Sequence, residues 1–380
     1  MELSDYRAKI DEIDDRLIEL FRQRMEVSTD IADWKKQNGM PVRDSERERK
    51  KLLSVAEKVP PELRQSAISL YSLLFDLSRS SQNLRLSGIE GLPEQITDAI
   101  AKTPQLFPQT ASVACQGVAG AYSQLACDRL FNLANILYFS TFESVFSAIE
   151  NGLCHYGIVP LENSTAGSVN AVYDLMMRHN FRIVRSVRIK IDHNLLAKKG
   201  TKLSDIREIY SHAQAIGQCA SFLASMPDAK VIPCENTAVA AKMVAESDRN
   251  DIAALSSRNC LKLYPLDCLA QSVQDKENNY TRFICISKSL EIFPGADRTS
   301  LMAVLPHEPG SLYKLLARFY ALGINLNKLE SRPLPDRNFE FMFYFDLETS
   351  VYSPEFLQLM RELPDFCEEF SYLGSYSEVV

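Results

Sequence analysis

The sequence predicts a multidomain protein with an all-α segment, an α/β segment and a small α+β segment, in that order. Three observations carry this. Residues before Ser87 hold one glycine, Gly39, among long runs of strong helix formers. From Thr110 onward, the runs ASVACQG, HYGIVPLEN, RIVRSVRIK, EIYSH and RFICIS alternate with helical stretches, the pattern of an α/β sheet. From Ser300 the stretches SLMAVLP, GSLYKLLARFYALG, INLNKLESRPL, FEFMFYFDLET, PEFLQLMREL and CEEFSYLGSY read βαββαβ. The expected domains are 1–88, 110–290 and 298–380. A connector with Pro93, Pro104, Pro108 and one short helix joins the first two.

At 380 residues the chain is too long for one core. With 46% hydrophobic and 24% charged residues, most of it should fold. No apolar run approaches the roughly 18 residues of a membrane span. The N-terminus, MELSDYRAKIDEIDD, lacks the apolar core of a signal peptide, so the expected location is cytoplasmic, without membrane association. The nine cysteines are scattered without a CxxC pair, and the five histidines show no ligand spacing. Free thiols are expected, with no metal and no cofactor. Net charge is −7, and the segment from Leu290 alone carries 7 basic against 14 acidic residues. No basic face points to nucleic acid. Anionic substrates would have to be held by a few placed cations.

The first helix is expected from about Leu3 to Lys36, with Ile10, Ile13, Leu17, Leu20, Val27, Ile31 and Trp34 on a heptad stripe. Arg24 stands where the series Ile10, Leu17, Ile31 calls for an aliphatic residue. Lys35 lies only about 20° around the helix from Arg24, and Arg7 about 100° away. A second helix starts near Asp44, and its row Glu48, Leu52, Val55, Val59 puts Glu48 on a buried-looking position beside Arg47. In a third helix the row Ile68, Tyr71, Phe75 runs on into Ser78 and Gln82. Taken singly, Arg24 reads equally as a register-setting polar residue and Asp44 as a helix cap. Together they describe a polar, cation-rich pocket suited to a carboxylate ligand, because unpartnered buried charges are costly.

Arg7, Arg24, Lys35, the run PVRDSERER (41–49), Ser78 and Gln82 resemble the all-helical chorismate mutases across nearly all of residues 3–85. Asp33 departs from the usual basic or small residue, off the pocket face. The resemblance implies an intertwined homodimer in which Arg7 enters the partner's site. It also implies that Arg7 and Arg24 clamp the two carboxylates of chorismate and that Lys35 and Gln82 hydrogen-bond the ether oxygen. Glu48 and Asp44 would bind the ring hydroxyl, and Arg47 and Ser78 the remaining carboxylate region.

In the middle segment, QGVAGAYS (116–123), VPLENSTAGSV (159–169), YSHAQAIGQC (210–219), ENTAVAA (235–241) and NNYTRF (278–283) stand at strand ends, where α/β sheets bind ligands. Each cluster alone reads more readily as helix capping. Their order closely resembles the prephenate dehydratases over about 111–289, most specifically in Thr281-Arg282-Phe283. That family implies two α/β lobes around a cleft, like a periplasmic binding protein, here about 111–187 with 273–289, and 189–272. Thr281 is then the expected hydrogen-bond donor to the leaving hydroxyl of prephenate. Arg282 holds a substrate carboxylate or forms a structural ion pair. Phe283, Glu162, Asn163, Ser164, Ser211, His212 and Gln214 line the site, with a satisfied interior histidine as the other reading of His212.

The ferredoxin-like C-terminal order, with Pro309, Gly310, Ser311 and Leu312 entering its first helix and NLNKLESRP (325–333) ending its second strand, resembles the ACT domains. Ser311 replaces the usual alanine. The resemblance implies phenylalanine as allosteric effector at a paired interface, bound near Asn325, Leu326, Glu330, Ser331, Arg332 and Pro333. The whole is expected to be a bifunctional enzyme of phenylalanine biosynthesis, dimeric or higher. The alternatives are a monofunctional prephenate or arogenate dehydratase with a dimerising helical segment, and a non-enzymatic sensor.

Overall fold

The computed structural model describes residues 2–40, 42, 44–86, 91–334 and 340–380. Pro41 and Arg43 of the PVRDSERER run, and the boundary expected at 88, lie outside them. The chain divides into two compact units, Met1–Gln95 with Pro354–Cys367, and Ile96–Ser353 with Glu368–Val380.

The first unit is helical. Helix α1 (Leu3–Gln37) is the long amphipathic helix the heptad predicts. After the Gly39 turn, α2 (Ser45–Glu57) starts where Asp44 accepts a hydrogen bond from the Arg47 N–H at 3.0 Å, so Asp44 is an N-cap. Helix α3 (Arg64–Leu86) returns against both. The apolar stripe on the first half of α1 finds no cover here: Ile10 is 56% and Leu17 57% exposed. The connector holds α4 (Leu92–Lys102), the expected short helix.

The second unit begins with β1 (Thr110–Gln116), α5 (Tyr122–Leu130), β2 (Leu133–Phe139), α6 (Phe142–Glu150), β3 (Tyr156–Asn163), β4 (Gly167–Ser168), α7 (Asn170–Met176) and β5 (Arg182–Lys190). A second lobe follows with β6 (His193–Lys198), β7 (Glu208–His212), α8 (Ala213–Gln218), α9 (Ala220–Ala224), β8 (Lys230–Cys234), α10 (Thr237–Glu246), β9 (Ile252–Ser257) and β10 (Leu266–Ala270). The chain returns through β11 (Tyr280–Ser287) to β12 (Arg298–Val304), α11 (Ser311–Ala321), β13 (Asn325–Pro333), β14 (Phe341–Glu348), α12 (Pro354–Phe366, which belongs to the first unit), β15 (Glu369–Tyr376) and β16 (Glu378–Val379). The five strand runs quoted above all form strands, and the βαββαβ order is observed.

Three sheets result. One has the order β16-β5-β11-β3-β1-β2, with β4 on β3; the second is β10-β6-β9-β7-β8; the third is β13-β14-β12-β15. The first and third share a core in which Val159, Leu161, Tyr173, Ile284 and Ile286 pack with Met302, Val304, Met342, Tyr344 and Tyr376. Gly374 permits the approach: a Cβ there would lie 2.3 Å from the Ile183 carbonyl oxygen, and its φ is +139°. The C-terminal sheet is therefore built onto the first lobe. All nine cysteines are free. Among the described residues no helix is long and apolar enough to cross a membrane, and no cluster of His, Cys, Asp and Glu could hold a metal.

Candidate active sites

The helical unit forms a half-open cavity of about 950 Å³. Arg24 and Lys35 reach it from α1, Asp44, Arg47 and Glu48 from the start of α2, and Ser78 and Gln82 from α3. Seven of the eight residues singled out in this segment thus line one space. Arg24 Nη1 donates to the Leu74 carbonyl at 3.1 Å and to Ser78 Oγ, and partial burial holds its guanidinium below its usual range. Lys35 donates to the Val42 carbonyl. Gln82 Nε2 donates to Ser28 Oγ at 2.9 Å, leaving Gln82 Oε1 buried without a hydrogen-bond partner among the described residues.

Glu48 is paired with Arg79, which also pairs with Asp76. Arg79 lines the cavity and was not foreseen; its place beside Ser78 on α3 was the available signal. Arg7 is exposed and not among the lining residues. It lies seventeen residues from Arg24 on the same helix, about 25 Å along the axis, so it cannot serve this cavity within one chain.

At the junction of the two lobes, four side chains close a hydrogen-bonded ring. Asn163 Nδ2 donates to Asn279 Oδ1 at 2.8 Å, and Asn279 Nδ2 to Gln218 Oε1 at 3.0 Å. Gln218 Nε2 donates to Thr165 Oγ1 at 3.1 Å, and the Thr165 hydroxyl to Asn163 Oδ1 at 2.7 Å. The ring has one polarity because the backbone N–H groups of Thr165 and Ala166 also donate to Asn163 Oδ1, at 3.0 and 2.9 Å. The Asn163 amide nitrogen must then face Thr281, whose Oγ1 accepts from it at 2.9 Å. The threonine hydrogen has no acceptor among the described residues. His193 adds a contact from Nε2 to Gln218 Oε1 at 3.0 Å. Since that oxygen accepts, the imidazole carries its proton on Nε2. Burial lowers its basicity, and Nδ1 has no hydrogen-bond partner among the described residues.

Beside the ring is a cavity of about 320 Å³ lined by Thr165, Gln214, Gln218, Gln274, Asp275, Lys276 and Asn279, among others. Thr165, beside Ser164 ahead of Gly167, fits a ligand-binding turn in the sequence, whereas Gln218 and Asn279 are marked there only by the clusters that contain them.

Other expected lining residues are placed differently. Ser211 is buried and donates to the Leu255 carbonyl at 2.7 Å, inside the second sheet. His212 caps α8, its Nδ1 accepting from the Gln214 N–H. Ser164 ties two loops together, accepting from the Tyr280 N–H at 2.9 Å and donating to the Asn278 carbonyl at 3.1 Å. Phe283 is packed into the core of the first lobe with Cys285 and Tyr156. Its ring is therefore a packing element.

Arg282 forms the ion pair rather than presenting an open guanidinium. It pairs with Asp346 of β14, and its Nε lies 2.9 Å from Glu162 Oε1. Burial is the strongest single influence and opposes its charge, but Asp346 and Glu162, with the neighbouring Tyr376 and Tyr344, together outweigh it and raise its basicity. Burial alone would raise the Glu162 carboxyl; the charges of Arg282 and Lys328 outweigh it and hold the group below its usual range.

In the C-terminal segment, Pro309 and Gly310 are exposed, and Gly310 opens α11 with φ +89°, a left-handed conformation that favours glycine. Ser311 and Leu312 are half-buried. Along the edge strand β13, Asn325, Ser331 and Pro333 are exposed while Leu326, Glu330 and Arg332 are half-buried. Glu330 accepts from Ser168 at 2.6 Å and Arg332 pairs with Asp174 at 2.8 Å. Two of the expected effector residues thus already hold partners on the first lobe.

The chain matches the family Chorismate mutase type II over residues 6–83 and the family Prephenate dehydratase over residues 113–291. It is 30% identical over 382 residues to the bifunctional chorismate mutase/prephenate dehydratase of Aquifex aeolicus (strain VF5), covering 100% of this chain and 99% of that protein. It is 35% identical over 294 residues to arogenate dehydratase/prephenate dehydratase 2, chloroplastic, of Arabidopsis thaliana, covering 74% of this chain and 75% of the relative. The prephenate dehydratase of Arthrobacter aurescens, solved in complex with L-Phe, aligns with a TM-score of 0.65 at 28% identity over 70% of this chain and 89% of that one.

Proposed function

Since the chain belongs to the bifunctional chorismate mutase/prephenate dehydratase family, we propose that its helical cavity carries the first reaction and the junction of its two lobes the second. The enzyme converts chorismate to prephenate and prephenate to phenylpyruvate. The observation that carries the assignment is the convergence of Arg24, Lys35, Arg47, Glu48, Ser78 and Gln82 from three helices on one cavity.

The first reaction is a pericyclic shift, which needs no nucleophile and no proton transfer. The residues act by holding a compact conformer and stabilising charge as the ether C–O bond breaks. Arg24, with Arg7 of a second copy, clamps the carboxylates, and Lys35 and Gln82 serve the ether oxygen. Glu48 and Asp44 bind the ring hydroxyl, and Arg47 and Ser78 the remaining carboxylate region. The exposed stripe of α1 supports a dimer, because covering Ile10, Ile13 and Leu17 with a second copy would also bring Arg7 to the partner's cavity.

In the second reaction the ring carboxylate leaves as CO₂, its electron pair completes the aromatic ring, and the ring hydroxyl departs as water after gaining a proton. Thr281 serves the departing oxygen. Its Oγ1 already accepts from Asn163, so its own hydrogen is free to donate.

The C-terminal segment 298–380 acts as an ACT domain that binds phenylalanine and inhibits the dehydratase. Support comes from its sheet order, the exposed Gly310 turn, the open edge of β13 and the L-Phe complex of the Arthrobacter aurescens relative. Calorimetric titration with phenylalanine checks it: no heat at millimolar ligand removes the effector from this account. Assays of both half-reactions test the catalytic assignment.

A further inference from the structure

Strands β3 and β11 pair antiparallel, with Thr281 opposite Asn163 and Arg282 opposite Glu162. Just beyond, the register slips, so that Phe283 faces Pro160 and Leu161 is the extra residue. Such a bulge re-aims the side chains that follow it. Val159 and Leu161 lie in the core shared with the C-terminal sheet, and regular alternation would send Asn163 after them. The bulge places Asn163 instead beside Thr281.

The same slip interrupts the backbone ladder beside this rung on the β3 side, where Pro160 has no N–H to give. What grips it from the opposite face is Arg282. Its one well-aligned hydrogen bond among the described residues goes to Asp346. Its Nε is close to Glu162 but off the line of a hydrogen bond, and Nη2 has none among the described residues. Asp346 is fully buried and fixed in turn, its Oδ1 accepting from Tyr376 at 3.2 Å and Ser300 at 3.3 Å. Lys328 of β13 holds the other side of Glu162 at 2.8 Å.

We propose that Asp346, in the C-terminal sheet, is a positioning residue for the dehydration step: it anchors Arg282, and Arg282 sets the Thr281–Asn163 rung against the substrate. The regulatory sheet is then part of the dehydratase machinery, one residue through the sheet from the reacting oxygen. The inference rests on the reading of Thr281 as donor to the leaving hydroxyl.

Asp346→Asn keeps the size of the side chain and an oxygen for Tyr376 and Ser300 but removes the charge that fixes Arg282. Prephenate turnover is expected to fall about tenfold to a hundredfold in kcat, as misplacement of a reacting group does, with KM within about threefold of wild type. Mutase turnover in the same preparation should be unchanged, and Asp346→Glu should recover part of the loss. Thr281→Ala is assayed alongside. If that variant dehydrates prephenate normally, the reading of Thr281 has failed rather than that of Asp346. With Thr281→Ala inactive, an Asp346→Asn enzyme that melts cooperatively and keeps kcat within about twofold overturns the inference. So does a loss carried by KM alone. Should Asp346→Asn not fold, the double variant Arg282→Met/Asp346→Leu decides, since a buried pair is often replaceable by apolar residues. A folded double variant with the same fall in kcat supports the proposal, and one with normal dehydration overturns it.

Discussion

Asn163 donates its amide hydrogen to Thr281 Oγ1 across 2.9 Å, and the direction of that bond is set from behind by the backbone N–H groups of Thr165 and Ala166. The threonine is left with a hydrogen to give. Asn163→Asp should reverse this, because a carboxylate only accepts and would take the threonine hydrogen for itself. Dehydration is expected to fall about a hundredfold, the scale seen when one preorganised donor is lost. Thr281→Ser should retain substantial activity. An Asn163→Asp enzyme with near-normal prephenate turnover contradicts the assigned polarity.

Lys35 comes off the same face of α1 as Arg24 and lines the helical cavity. Lys35→Ala is expected to lower mutase turnover by roughly 10²–10³ and to leave dehydration untouched. Parallel chorismate and prephenate assays on one preparation check this, and an equal fall in both would point to general loosening.

Arg7 lies too far along α1 from Arg24 to share its cavity, so the two should complement each other between chains. Arg7→Ala and Arg24→Ala are each expected to lack mutase activity. Mixed and re-equilibrated, they should regain about a quarter of the wild-type rate, since half the dimers pair the two variants and carry one intact site. No recovery in verified mixed dimers would mean that Arg7 acts elsewhere.

His193 should make the second unit sensitive to acid. Burial depresses its folded-state pKa, so as pH falls below the unfolded value of about 6.5 the unfolded chain takes up the proton first. The stability that the neutral imidazole contributes is full above that value and is lost as pH falls toward the folded one. The slope is at most about 1.4 kcal/mol per pH unit. Unfolding measured between about pH 5 and 7 should show stability rising with pH, with a flatter profile for His193→Asn. An identical profile would discharge His193 from this role.

Much of the helical site was legible in the sequence because helix periodicity is regular. Charges at Arg24 and Glu48 on apolar rows could be placed on one side of a bundle without coordinates. Arg79 escaped because its own spacing fits a solvated face and its place beside Ser78 was the one hint; the fold brings it to Glu48. In the lobes, the clusters at strand ends marked the right neighbourhood, but alternation along β3 misassigns Asn163. A bulge at Leu161 has no signal in a run such as GIVPLEN beyond its proline. Ser211 and Phe283 were attractive for their motifs, yet their side chains turn inward to Leu255 and to the first lobe's core. The partnership of Arg282 with Asp346 joins residues 64 positions apart, a separation that no local pattern encodes.

The most direct test of the two-site account assays both half-reactions on wild type, Arg24→Ala and Thr281→Ala. Arg24→Ala is expected to lose chorismate rearrangement while dehydrating prephenate normally, and Thr281→Ala to show the reverse. If either substitution silences both reactions in a folded enzyme, or neither, the assignment of one reaction to the helical cavity and the other to the lobe junction is wrong.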